Sequence, residues 1–306
     1  MKKYFLLFAS VFIGFCAFWF YKNNSSRFLK LPSTWQISGG KGVFSGKIMG
    51  NSFDHIAVIV MENKSFKDIV GNRSAPYINS LIPEYSLLGN YHAVAHPSLP
   101  NYIALVGGST FGIESDCTDC FIKGNNLANQ LEQYHKTWKA YMESMPSICF
   151  IGGSGLYVQK HNPFIYFNDI RNNKERCDNI VPFSKLESDL KSNVPNFIFI
   201  SPNLCNDMHE CSTAIGDKWL SVQIPMILNS SAFNKQKSLL ILTWDEDDGL
   251  EDNKVAAIFI GSGIKKGYVS QIYYTHYSLL HTIENLWGLS PLTENVSQSA
   301  VISDVF

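Results

Sequence analysis

The stretch Ile56-Ala57-Val58-Ile59-Val60-Met61-Glu62-Asn63 constrains this chain most. It is an apolar run rich in β-branched residues, and it predicts a buried strand over 55–61. The run stops at Glu62 and Asn63, two oxygen ligands with no place inside a sheet, and Lys64 and Ser65 begin a polar turn. In open α/β sheets, ligands sit beyond the carboxyl ends of the strands. Either the strand simply ends in polar residues, or a metal or substrate site begins there.

Further apolar runs predict strands over 147–151, 196–201, 238–244 and 255–260. Near-continuous runs of this kind suit parallel strands covered on both faces. Helical spacing predicts helices over 76–82, 99–107, 125–135, 183–191, 216–228 and 276–287. The last carries Tyr277, Leu280, Ile283, Leu286 and Trp287 on one stripe. Strands alternating with helices give an α/β domain with one main sheet, spanning residues 51–306. At 45% hydrophobic and 17% charged, the chain can build a large core. Its formal net charge of −1 advertises no basic face, which argues against a nucleic-acid partner. Nothing in the sequence demands an obligate protein partner.

The first residues read differently. Met1-Lys2-Lys3 is basic, Tyr4 to Tyr21 carries no charge, and Lys22, Arg27 and Lys30 follow. About twenty apolar residues span a bilayer, so this run is just long enough. Its aromatic end, Phe18-Trp19-Phe20-Tyr21, suits a membrane interface. The expectation is an uncleaved signal anchor helix over 4–21, a cleaved signal peptide being the alternative. Residues 22–50 are polar and Gly/Ser-rich, as a tether to an extracytoplasmic domain would be. Cysteine usage agrees with export. Cys16 lies in the anchor, leaving an even set of Cys117, Cys120, Cys149, Cys177, Cys205 and Cys211. The short loops 117–120 and 205–211 suit local bridges, which would leave Cys149 for Cys177. Six cysteines nevertheless allow fifteen pairings. Cys117-x-x-Cys120 also matches a redox or zinc half-site, but no second such pair completes it.

Four other segments carry chemistry. In His96-Pro97-Ser98-Leu99-Pro100-Asn101-Tyr102 the prolines fit only the first turn of a helix, which puts Ser98 at a helix start. There it is either an N-cap or a nucleophile beside an anion-binding helix end. Leu239 to Trp244 is an apolar run that ends in Asp245 and Glu246, with Asp247, Asp248, Glu251 and Asp252 in the loop beyond. Such a cluster is either a solvated acidic turn or a divalent-cation site. Asn196 to Ser201 leads into a loop with Asp207 and His209 between Cys205 and Cys211. His161 and His276 each begin a turn or a helix. His55, His135 and His281 read as structural, with His92 between the classes.

Together these motifs resemble the phosphoesterase family of acid phosphatases and bacterial phospholipases C, within the alkaline phosphatase superfamily. The residues that carry the resemblance are Val60 to Phe66, His96 to Tyr102, Lys160 to Phe164, Ser201 to His209, and Thr243 to Glu246 with Asp248. They run in order over about residues 53–290, and the short acid-phosphatase branch is the better match. The resemblance implies a doubly wound, mostly parallel sheet with helices on both faces. It also implies a metal-dependent phosphomonoesterase acting on a small phosphorylated substrate. Glu62, Asn63, Asp245 and Glu246 would hold a divalent metal, its identity open, with Ser98 as both ligand and nucleophile. Asp207, His209, His161 and His276 would line the phosphate site as second-metal ligands, donors or general acids. Asn101 and Asn162 would touch substrate. The rival readings are a phospholipase C acting on a phosphodiester and a catalytically idle, membrane-anchored binding protein of the same fold.

Overall fold

The structure is a computed structural model that describes residues 53–306. The anchor expected over 4–21 and the tether over 22–50 lie outside the described residues. Within them, no helix is long and apolar enough to cross a membrane.

Among the described residues nine strands form one sheet: β1 (His55–Met61), β2 (Ser86–His92), β3 (Trp138–Met142), β4 (Ile180–Pro182), β5 (Phe197–Ser201), β6 (Ser238–Trp244), β7 (Lys254–Gly261), β8 (Tyr268–Ser270) and β9 (Tyr274–Thr275). Their order is β4-β3-β5-β1-β6-β7-β2-β8, with β9 beside β2. Every pairing is parallel except those of β7, which runs against both β6 and β2. The parallel reading of 255–260 is therefore corrected. The link from β6 to β7 contains no crossover helix, which a parallel return requires. β1 is central, entirely buried, and paired along its length with β5 and β6. The carboxyl ends of β1, β5, β6 and β2 thus emerge along one edge.

Six helices match the expected positions: α1 (Pro76–Leu81), α2 (Ser98–Gly107), α3 (Leu127–Gln133), α4 (Leu186–Ser192), α5 (Thr213–Leu228) and α6 (His276–Trp287). α4 is preceded by a 3₁₀ turn, Phe183–Lys185, so the helix expected over 183–191 is split. α2 takes Pro100 in its first turn and ends at Gly108, whose φ of 69° places it in the left-handed region. α6 ends the same way at Gly288.

The strand expected over 147–151 does not form. Cys149 has a φ of 57°, and its backbone N–H bonds Ile180 O. Its side chain bridges to Cys177, so the segment is a stapled loop. The other bridges are Cys117–Cys120 and Cys205–Cys211. In the last loop Met208 is fully buried at a φ of 82°. Met208 packs against Gly216 in the first turn of α5, where a Cβ would lie 2.4 Å from the Met208 side chain. That close approach fixes the backbone between Asp207 and His209.

Candidate active site

The edge where the four strands end collects most of the expected site residues. Glu62 follows β1, and its N–H bonds the Asp207 carbonyl at 2.9 Å. Asp245 follows β6, and its N–H bonds the Met61 carbonyl at 3.0 Å. Asp245 Oδ1 in turn accepts the N–H of Asn63 at 3.1 Å. Asn63 itself has a φ of 45°, which turns the chain sharply away from β1. The ends of β1 and β6 and the loop after β5 are thereby stitched together through backbone N–H groups.

Ser98 is the first residue of α2 and is 1% exposed. The N-cap position belongs to Pro97 and Ser98 is already helical, so the N-cap reading is overturned. Asp116 Oδ1 accepts the Leu99 N–H at 3.0 Å. The Ser98 hydroxyl instead lies between Glu62 Oε2 at 3.2 Å and Glu246 Oε1 at 3.1 Å. Lys160 Nζ stands 3.4 Å from the same oxygen and 2.8 Å from Asp116 Oδ2.

His161 is 3% exposed and lies face-on against Tyr102, ring centroids 5.1 Å apart. Its Nε2 is 3.1 Å from Glu62 Oε1 and its Nδ1 is 3.4 Å from Asp207 Oδ2. Neither approach is aligned as a hydrogen bond. Burial, with Lys160 and His209 adding to it, holds the His161 imidazole well below its ordinary pKa. A neutral ring carries one N–H, so one of its nitrogens meets a carboxylate lone pair to lone pair. A cation between the groups removes that conflict.

The carboxylates make the same point. Burial pushes Glu62 well above the carboxylate range, with Asp207 adding to it. Burial does the same to Asp245, helped by Glu62 and Glu246. Burial pushes Asp207 up to about 8 against the pull of the His209 N–H. Glu246 is raised by burial, opposed by His96, whose Nδ1 bonds it directly. Glu62 Oε1, Asn63 Oδ1, Asp207 Oδ2 and Asp245 Oδ2 are buried without a hydrogen-bond partner, as are both nitrogens of His161. Orphaned buried acceptors at this density call for a ligand. Ligand atoms of Glu62, His161 and Asp207 all lie within 4.8 Å of one another. This mixed oxygen and imidazole set fits a divalent cation.

His209 lies at the rim, with its ring centroid 6.2 Å from that of His161 and its Nδ1 on Glu210 Oε1 at 3.0 Å. Burial and Lys160 lower its pKa. Asn162 is buried and donates to the Tyr157 hydroxyl at 3.0 Å, while its Oδ1 has no partner.

Two expected site residues play other parts. His276 is fully buried, with Nδ1 on the Tyr91 hydroxyl at 2.8 Å and Nε2 on the Asp245 carbonyl at 2.6 Å. Both nitrogens are taken, so it braces Asp245 and is not poised as a general acid. Asn101 is likewise spent. Its Oδ1 accepts the N–H groups of Val94 and Ala95, and its Nδ2 donates to the carbonyls of Ala95 and Pro97. It shapes the loop before Ser98 and has nothing left for substrate. Conversely, sequence reasoning passed over His96, Tyr102, Asp116 and Lys160. Lys160 adjoins His161 and Asp116 adjoins Cys117, but a lone charge beside a motif carries no signal of its own.

The chain is similar to several known proteins. The model of the Phosphoesterase family matches residues 71–290. A phosphatidylinositol-3-phosphatase of Mycobacterium tuberculosis is 34% identical over 260 residues, covering 83% of each chain. A phosphate-repressible acid phosphatase of Penicillium chrysogenum is 33% identical, over 80% of this chain and 61% of its own. The chain thus spans about three fifths of that fungal relative. A solved protein of the alkaline phosphatase superfamily from Vibrio parahaemolyticus superposes with a TM-score of 0.57 at 14% identity, over 80% of this chain and 69% of that one, a likeness of fold. By the family model and by identity across most of its length, the chain belongs to the Phosphoesterase family.

Proposed function

We propose that this chain is a metal-dependent phosphoric ester hydrolase, an acid phosphatase-like phosphomonoesterase that works through a phosphoserine at Ser98. One observation carries the reading: the Ser98 hydroxyl sits at the start of α2 between Glu62 and Glu246, ringed by buried acceptors that lack partners. A divalent cation, when bound, supplies the positive charge that offsets these carboxylates and polarises the phosphoryl group. Glu62, Asn63, Asp245, Glu246 and Asp207, with Ser98 and His161, are the residues that would hold it.

Ser98 Oγ forms the new bond to phosphorus while the ester P–O bond breaks. Its proton goes to one of the two carboxylates it already faces. The departing alcohol takes a proton from His209 at the partly open rim when low pH has charged its ring, and otherwise from water. Water then attacks the phosphorus, the Oγ–P bond breaks to release inorganic phosphate, and the proton held by the carboxylate returns to Ser98 Oγ. Positioning and charge neutralisation account for most of the rate in phosphoryl transfer, and ends of adjacent strands are rigid supports for both. The relative that acts on a phosphoinositide monoester favours a monoester over a diester here. Three disulfides suit an oxidising, extracytoplasmic compartment. Attachment to a membrane through residues 4–21 and independence from nucleic acid and obligate protein partners belong to the same proposal.

The test is hydrolysis of p-nitrophenyl phosphate, bis-p-nitrophenyl phosphate, p-nitrophenyl phosphocholine and phosphatidylinositol 3-phosphate, with and without chelator. The monoesters should turn over and chelator should stop them. Acid quench should trap phosphate on the wild type and none on Ser98→Ala. A Ser98→Ala variant with near wild-type turnover would refute the covalent route.

A further inference from the structure

Four carboxylates crowd this site, namely Glu62, Asp207, Asp245 and Glu246, and a single divalent cation offsets only half of their charge. A phosphomonoester brings about two more negative charges. Further positive charge must meet the incoming phosphoryl group, or the cluster repels it. α2 supplies part through its N-terminus. Lys160 supplies an ammonium, shared with Asp116, with Nζ 3.4 Å from Ser98 Oγ. Its side chain is 19% exposed, and its stem leaves the 3₁₀ turn Gln159–His161.

The ammonium is aimed from one side. Asp116 Oδ2 holds it at 2.8 Å while Asp116 Oδ1 accepts the Leu99 N–H. One carboxylate therefore ties the lysine to the first turn of the helix that carries Ser98. The loop behind Asp116 is locked to the lysine's own segment. The Cys117–Cys120 bridge closes it, the Tyr166 hydroxyl donates to Cys117 O at 3.0 Å, and Gln159 Nε2 donates to Thr118 O at 2.8 Å. A surface ion pair would need none of this bracing.

Resting on the hydrolase reading above, we propose that Lys160 is a further catalytic residue, the fixed cation for the phosphoryl group at Ser98, and that Asp116 is the positioning residue that aims it. A phosphoryl group on Oγ carries its oxygens outward from the very atom Nζ approaches. No bond to Lys160 forms or breaks, since its part is electrostatic.

The experiment is a double-mutant cycle of Lys160→Met and Asp116→Asn in the full chain with its metal, with Lys160→Arg as the charge-keeping control. Turnover of p-nitrophenyl phosphate and binding of inorganic phosphate by calorimetry are both read. Lys160→Met should lower kcat/KM by about 100-fold or more, by analogy with loss of one preorganised donor, while Lys160→Arg recovers most of it. Phosphate binding should weaken in parallel. Asp116→Asn keeps an acceptor for Leu99 and should cost about tenfold alone, yet almost nothing when Lys160 is already Met. Equal cost in both backgrounds overturns the positioning role. Near wild-type kcat/KM and phosphate affinity in Lys160→Met overturn the catalytic one. A wild type inert towards every phosphoester refutes the hydrolase reading instead, and the calorimetric cycle then decides whether the pair binds phosphate.

Discussion

Removing the metal should make the protein's stability depend on pH in one direction. Without a cation, burial pushes Asp207 up to about 8, and Glu62, Asp245 and Glu246 are raised as well. In the unfolded chain the same groups titrate near ~4. Between those values the folded, metal-free protein holds at least one proton that the unfolded chain has released. Stability then falls as pH rises, by about 1.4 kcal/mol per pH unit for each such proton. From pH 5 to pH 8 one proton amounts to about 4 kcal/mol. A domain of this size loses about 2–4 °C of Tm per kcal/mol, so chelator should lower Tm by roughly 8–16 °C more at pH 8 than at pH 5. With the cation bound the carboxylates are ionised in the folded state too, and this slope is absent. The assay is thermal unfolding with and without chelator across that range, after dialysis to exclude free metal. Groups elsewhere in the fold act on both curves and cancel in the difference. A gap of equal size at pH 5 and pH 8, or no gap at any pH, would refute the claim that a cation holds this cluster.

Other outcomes follow from single side chains. Glu284 is buried in α6, its Oε1 accepts the Leu292 N–H at 3.0 Å, and burial pushes its carboxyl up to about 8. Its burden therefore appears as pH rises. Glu284→Gln should raise stability at pH 9 by about 2–4 kcal/mol and change little at pH 5, read by urea unfolding at both. Asn101→Ala strands the N–H groups of Val94 and Ala95 and should cost about 2–4 kcal/mol. Turnover should fall with it, because that loop leads into Ser98; a variant with wild-type Tm removes the clamp role. His276→Phe should keep phosphate binding within about threefold while lowering Tm, the pattern of a brace whose loss exposes unmet hydrogen bonds.

The strand that opens the domain was legible because β1 is buried on both faces, so its residues from Ile56 to Met61 had to be apolar without a break. The same holds for β5 and β6, and their polar ends marked the site. β2 was missed because Gly89 and Asn90 interrupt it, at a register shift against β7. β3 was missed because Lys139 breaks a short run, and its charge is met by Asp189 at 2.7 Å. The false strand over 147–151 shows the converse: Ile148 and Ile151 are 46% and 45% exposed, and periodicity cannot tell an apolar loop held by a disulfide from a core strand. Within the site, the sequence showed which residues could act but not how many bonds each already had. Asn101 and His276 sit in motifs as suggestive as those of Glu62 and His161. Only the tertiary structure shows the first pair saturated and the second pair with buried atoms unmet.

That contrast explains why the fold should survive without its ligand while its chemistry does not. Every element of the site is fixed by bonds that owe nothing to a cation. Glu62 N–H holds the Asp207 carbonyl, Asp245 N–H holds Met61, Asn63 N–H holds the Asp245 carboxylate, and His209 N–H holds Asp207 Oδ1 at 2.7 Å. His276 fixes the Asp245 carbonyl from behind. The Asp207 and Asp245 carboxylates are aimed by backbone N–H groups, that of Glu62 by the Ser98 hydroxyl, and that of Glu246 by Ser98 and His96, so loss of the cation leaves repulsion without loss of geometry. Protons relieve that repulsion at low pH, and nothing relieves it at high pH. A site built this way is preorganised for the ion and the phosphoryl group it receives, and the bare acceptors around Ser98 are the destabilisation that such preorganisation entails.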